Sequence, residues 1–304
     1  MIERTPIFNL VCYTILALGL VIALLPFAIV IIASTLDLHA VNTVPMPLTP
    51  SVHFWENLQA AWVRADLGNK LVHSIIFAVS VAAGKVILSS MAAFTIVYFR
   101  FPGRYVIFWL IFITLMLPLE VRIVPTYSIA ANALQPFQAI LDVTGLTSLI
   151  AYLFGIQVKL EWGLLNSYPG LVLPLVATAT GTFLYRQFYL TIPDELAEAS
   201  KMDGSGPVRF FLDILLPLSR ANMIALFTIM FVWAWNQYLW PLLITTDPKF
   251  GIAVTELKTL IPSEFGLPDW NVAMAGTLII MSPPLILVIL MQRWFVRGLI
   301  STEK

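Results

Sequence analysis

Charge is scarce in this sequence. Lys and Arg number 17, Asp and Glu 17, so charged residues fill only 11% of 304 positions. A water-soluble domain carries about 25%, so this composition excludes one. The zero net charge says nothing about nucleic acid, but no basic stripe is present to hold phosphates, and no nucleic-acid partner is expected. Cysteine is nearly absent. The single Cys12 lies in the first apolar run, so no intrachain disulfide can form and its expected role is packing. The three histidines, His39, His53 and His73, are scattered without metal-ligand spacing, and no metal site is expected. No nucleophile has an adjacent base and no carboxylate pair is buried, so the chain is not expected to be an enzyme. No cleavable leader is expected. The apolar run from Ile7 to Ala33 is far longer than an h-region of about 7–15 residues, with no clear A-x-A site after it. It is expected to stay as a membrane helix.

What the chain does have is long uncharged apolar runs, the mark of an all-α polytopic membrane protein. Six transmembrane helices are predicted, at about 7–33, 71–99, 105–119, 168–190, 221–246 and 272–295. Pro26, Pro169, Pro174 and the pair Pro283-Pro284 predict kinks within them. Trp55 and Trp62, in the polar stretch from Ser34 to Lys70, suit a membrane interface. No internal repeat is present. Leu146 to Val158 is apolar but short for a span, so 134–166 reads as an outer-side insertion, an interfacial helix or a buried hairpin.

Six spans put both termini on one side. One set of connecting segments holds Arg4, Arg100, Arg104, Arg186, Lys201, Arg209, Arg220, Arg293, Arg297 and Lys304. The other, nearly twice as long, holds only Arg64, Lys70, Arg122, Lys159, Lys249 and Lys258. The first set, with both termini, is predicted to be cytoplasmic.

On that side lies the longest polar interruption, Thr191 to Arg220, which reads as two short helices joined at a glycine. Thr191 is the predicted N-cap, Pro193 suits a first turn, and Asp194, Glu195 and Glu198 place negative charge near that N-terminus. Leu196, Ala199 and Met202 form an apolar stripe. Gly204 sits where a left-handed residue should end the helix, Ser205 or Gly206 starts the second helix with Pro207, and Pro217 interrupts it. A bent loop with a narrow apolar stripe and acidic edges either docks into a groove on another protein or lies on the membrane surface.

Polar residues within the spans are the other candidates. Lys85 is near the middle of the second span, where a charge must face protein or water. It reads as a pathway or subunit-interface residue, or as a structural ion pair or a hydrogen bond to helix carbonyls. Gly84 before it invites a P-loop reading, but Val79 and Val86 break that motif, so no ATP site is expected on this chain. Glu120 and Arg122 interrupt the third span after Pro118, and Arg122 either offers a forked cation for phosphate or carboxylate or pairs with Glu120 or lipid headgroups. Trp235, Asn236, Gln237 and Tyr238 combine polar groups with aromatic walls suited to a polyol or sugar, or else form an aromatic belt with interhelical hydrogen bonds.

Glu198-Ala199-Ser200, three residues, Gly204, nine residues, then Ile214-Leu215-Leu216-Pro217 resembles the EAA loop of ABC importer permeases. Ser200 stands where the family usually has a second alanine. Further strings, Phe112 to Thr126, Phe183 to Phe188, Trp235 to Thr245 and Met291 to Leu299, extend the likeness over nearly all of the chain. They are similar to carbohydrate-type permeases, and most of all to the second permease subunit of sn-glycerol-3-phosphate importers. The departure is Gln135 to Gly163. The resemblance implies a type I ABC importer permease with Glu195, Glu198, Ala199, Ser200, Asp203 and Gly204 in ATPase coupling. It also implies a homologous permease subunit, a dimer of ATPases carrying ATP and Mg, a periplasmic binding protein, and no cofactor on this chain. Membrane lipid would surround it. The substrate implied is glycerol-3-phosphate or a related glycerophosphate or polyol. An uncharged sugar or oligosaccharide is the alternative substrate. The alternative class is an ion-coupled secondary transporter, for which Glu120 is the one acidic residue near a span.

Overall fold

The apolar runs form helices that have no polar face to turn to water. In a computed structural model, residues 6–114, 117–261 and 266–300 are described, with side chains from Ile7 to Arg293. Arg4 and Lys304 lie outside the described residues, and Arg297 outside the described side chains. Among the described residues every regular element is helical. The chain divides into two units, Met1–Leu71 with Glu256–Pro283, and Val72–Thr255 with Pro284–Lys304.

The first 30-residue helix, α1 (Pro6–Thr35), is apolar on all sides and almost wholly exposed, as expected of a helix whose solvent is lipid. Pro26 lies inside it. The short α2 (Leu38–Val41) is capped by Asp37, whose carboxylate accepts from the Ala40 amide at 2.6 Å. Next comes α3 (Phe54–Arg64), with Trp55 and Trp62 exposed. Asn57 ties α3 to the end of α1. Its amide donates to the Ser34 and Leu36 carbonyls at 2.9 and 2.8 Å. The Asn271 amide donates to the Asn57 side-chain oxygen at 2.7 Å.

The 32-residue α4 (Leu67–Tyr98) is unbroken. After it the chain turns at Gly103, left-handed at φ 81°, into α5 (Arg104–Ile113). The expected third span does not run straight on: α5 ends, and α6 (Leu119–Ala131) starts afresh after Pro118. The stretch after it folds as α7 (Gln135–Val143) and α8 (Leu146–Phe154), bent 75° to each other at left-handed Gly145. An extended strap returns beneath it, held by Ala133 N–H to the Trp162 carbonyl and Leu164 N–H to the Ala130 carbonyl.

The fourth span range holds two helices, α9 (Tyr168–Val176) and α10 (Ala179–Tyr189), with Ala177 and Thr178 extended between them. The polar interruption forms α11 (Asp194–Met202) and a second helix. That second helix is α12 (Pro207–Phe210), a π-turn (Phe211–Leu215) and α13 (Leu216–Leu218). After a 74° bend come α14 (Arg220–Trp235), a break, and α15 (Leu239–Ile244). The chain closes with α16 (Ala253–Leu260) and the 31-residue α17 (Trp270–Ile300), which carries Pro283 and Pro284. Three helices, α1, α4 and α17, are singly long and apolar enough to cross a membrane. The other three predicted crossings are each divided.

Glycines mark close approaches. A Cβ on Gly84 would press on Val176, so α4 and α9 touch there, and this packing accounts for the residue that suggested a P-loop. A Cβ on Gly181 would strike the Ser89 hydroxyl and reach Leu226, where α4, α10 and α14 meet.

Candidate functional site

Two regions of the second unit bring the candidates together. The first is the bend between α11 and α12. Thr191 is not the N-cap of α11. Its hydroxyl donates back to the Phe188 carbonyl at 2.7 Å, closing the end of α10, and Pro193 takes the cap position. No side-chain bond caps the helix; the Leu196 amide of the first turn donates to the Pro193 carbonyl at 3.2 Å. Asp194 and Glu195 then occupy the first turn, where the helix dipole favours them, and Lys201 the last.

Gly204 is left-handed at φ 74°. The Ser205 amide donates to the Ser200 carbonyl at 2.9 Å and the Gly204 amide to the Lys201 carbonyl at 3.0 Å. This pair of bonds is a Schellman stop. Gly206 is extended and Pro207 opens α12. Pro217 does not interrupt the second helix, which runs to Leu218. A proline clashes with the carbonyl four residues back and cannot bond it. The π-turn just before widens the helix, with Leu216 N–H reaching the Phe211 carbonyl, and so absorbs that clash.

One side of the bend is held fast. Phe210 is buried, 5.2 Å from Tyr98 edge to face, and Phe211 lies 4.9 Å from Phe94. Ser200 is buried beside them, and its hydroxyl has no partner within the described chain. The opposite side is bare. Leu196, Ala199, Met202 and Val208 are exposed, among the equally exposed Glu195, Glu198 and Asp203. Among the described residues the expected apolar stripe is therefore left largely open, with Met202 83% and Leu196 39% exposed.

The second region is a cavity of about 300 Å³. All three helix breaks reach it: Thr114, Leu117 and Pro118 from α5–α6, Ala177 and Thr178 from α9–α10, Gln237 from α14–α15. Irregular backbone at membrane depth is tolerated where it lines a cavity. Glu120 and Arg122 line it from the first turns of α6. Gln237 lines it too, but its sequence neighbours do not. Trp235 is buried and stacks on Phe231 at 5.6 Å, while Asn236 and Tyr238 are exposed away from it. The break turns the chain between Trp235 and Leu239, so adjacent residues part company there.

Lys85 also lines the cavity, buried on unbroken α4, with its ammonium 3.5 Å from the centre of the Trp233 ring. Its charge within an apolar helix was the signal for it. Trp233 was marked only as one aromatic of the run that ends at Trp240, and Thr114 and Thr178 carried no mark, because they reach the cavity only where the helices break beside them.

The family model for binding-protein-dependent transport system inner membrane components matches residues 85–301. The sn-glycerol-3-phosphate transport system permease protein UgpE of Escherichia coli K12 is 44% identical over 310 residues, covering all of both chains. The UgpE of Yersinia pestis is 43% identical over 311 residues, again with full coverage of both. A solved bacterial ABC transporter involved in the import of the acidic polysaccharide alginate superposes with a TM-score of 0.70 at 18% identity, covering 97% of this chain and 99% of that one.

Proposed function

We propose that this chain, which belongs to the binding-protein-dependent transport system inner membrane components, is a permease subunit of an ATP-driven importer of sn-glycerol-3-phosphate. The observation that carries the substrate is the end-to-end identity of 44% with a permease named for it. The polar cavity at the helix breaks agrees with a small, charged, hydroxylated cargo.

In this reading the bend around Gly204 is the coupling element. Its bare face of Leu196, Ala199 and Met202, edged by Glu195, Glu198 and Asp203, fits a groove on an ATPase subunit. Its other face is clamped to α4 through Phe210 and Tyr98, so a push on the bend travels into that helix. Two ATPase subunits would carry the ATP and Mg. A homologous permease would complete the pathway, and a periplasmic binding protein would deliver substrate. ATP drives the cycle only if its binding differs between inward- and outward-open states. The bend and both termini would face the cytoplasm. Within the cavity, Glu120, Arg122 and Gln237 are the pathway residues.

The test is uptake by the complete complex in proteoliposomes, with labelled sn-glycerol-3-phosphate against maltose. ATP-dependent accumulation of the first and not the second is expected. Accumulation of maltose alone would replace the substrate, and uptake driven by a proton gradient without ATP would replace the mechanism.

A further inference from the structure

The cavity holds more positive charge than its own chain balances. Lys85 is buried, 5% exposed, inside an apolar helix. Arg122 faces the same cavity, and its Nε is buried without a hydrogen-bond partner in the described chain. The one carboxylate in the lining, Glu120, forms no ion pair with either within the described residues. What Lys85 has instead is the face of Trp233. A ring face stabilises an ammonium less than a charged oxygen does where water is excluded. Two cations without a counter-ion repel each other, and burial makes that repulsion stronger.

We propose that Lys85 and Arg122 form a two-cation clamp for a phosphomonoester dianion, with Trp233 parking the Lys85 ammonium while the clamp is empty. This rests on the reading of the chain as a glycerol-3-phosphate permease and assigns the cargo's phosphate to a place on this subunit. Arg122 supplies a fork that matches two phosphate oxygens, and Lys85 a point charge on a flexible stem for the third. The rest of the lining then suits the polyol end. Glu120 accepts from a hydroxyl, and Gln237 can donate or accept. A dianion answers two cations, and a phosphodiester, with one charge, answers them less well. The clamp therefore selects monoesters over diesters.

The test uses the complete complex in proteoliposomes with ATP and saturating binding protein. Labelled sn-glycerol-3-phosphate uptake is measured at pH about 5.5 and about 7.5, on either side of the phosphate's second ionisation near 6. Lys85→Gln and Arg122→Gln should each raise the half-saturating concentration about tenfold or more. Lys85→Arg, which keeps the charge, should restore uptake to within a few-fold of the parent. The parent should gain affinity as the pH rises, and Lys85→Gln should gain less. If the parent does not take up sn-glycerol-3-phosphate, the substrate reading falls and the clamp with it. Parent uptake that Lys85→Gln matches in half-saturation and pH response overturns the clamp alone. A Lys85→Arg complex as impaired as Lys85→Gln, with normal assembly, also overturns it, because the position then needs lysine's shape and not its charge.

Discussion

Replacing Gly204 isolates what the bend contributes. The position is left-handed at φ 74°, and a Cβ built there meets nothing within 4 Å. Alanine is therefore penalised by backbone conformation alone, about 1–2 kcal/mol. That lowers the population of the bent form about 5- to 30-fold relative to its alternatives. Asparagine tolerates the left-handed region and should lose much less. Proline cannot adopt the angle, and it also removes the N–H that donates to the Lys201 carbonyl at 3.0 Å. In reconstituted complexes, uptake per ATP hydrolysed should therefore fall in the order Gly, Asn, Ala, Pro. Substrate binding to the separate binding protein should not change. Gly103 is the control, since it is also left-handed, at φ 81°, with open space around it. Gly103→Ala should cost the same in stability and leave the uptake-to-ATP ratio alone. Equal ratios for Gly204 and Gly204→Ala would refute the reasoning, as would an asparagine variant as damaged as the proline one.

Other substitutions test the packing. Gly181→Val drives a side chain into the Ser89 hydroxyl and Leu226, and should destabilise the protein by about 1–3 kcal/mol. Thermal inactivation in detergent reads this, with Gly19→Val, which meets nothing, as the neutral comparison. Asn57→Leu leaves the Ser34 and Leu36 carbonyls and the Asn271 amide without their partner, at about 1–3 kcal/mol for each group left dry. Adding Asn271→Leu to it should cost less than Asn271→Leu alone, and strict additivity would show that the pair does not interact. Trp240→Phe removes the indole N–H that donates to the Leu171 carbonyl at 3.2 Å inside the protein, and should also lower the inactivation temperature. An unchanged temperature would mean that water replaces the indole.

The parts legible in the sequence were those set by a residue's own backbone chemistry. Gly204 and Pro207 marked a stop and a start before any coordinates, because few other residues suit those positions. Lys85 announced itself by its charge, and the apolar runs of α1, α4 and α17 by length alone. What escaped depended on neighbours. Thr191 could cap forward or backward, and only the end of α10 decides that it caps backward. Pro217 read as an interruption because nothing local signals that the preceding turn will widen. Pro118 and the charged residues after it marked the interruption of the third span, whereas the breaks within the fourth and fifth predicted spans were hidden. Composition stays largely apolar through Ala177, the polar pair Asn236-Gln237 reads equally as a pathway wall or interhelical glue, and hydropathy does not register a lost hydrogen bond.

Those interruptions share a consequence. A continuous membrane helix resists deformation because every amide is committed to its own ladder. At Leu117–Pro118, Ala177–Thr178 and Gln237–Tyr238 the ladder is interrupted, at three places that reach one chamber. Half-helices can swivel there without tearing anything further, while uninterrupted α4 keeps its line beside them as a stator. The chamber's walls are thus jointed at the level where a passing solute needs them to part.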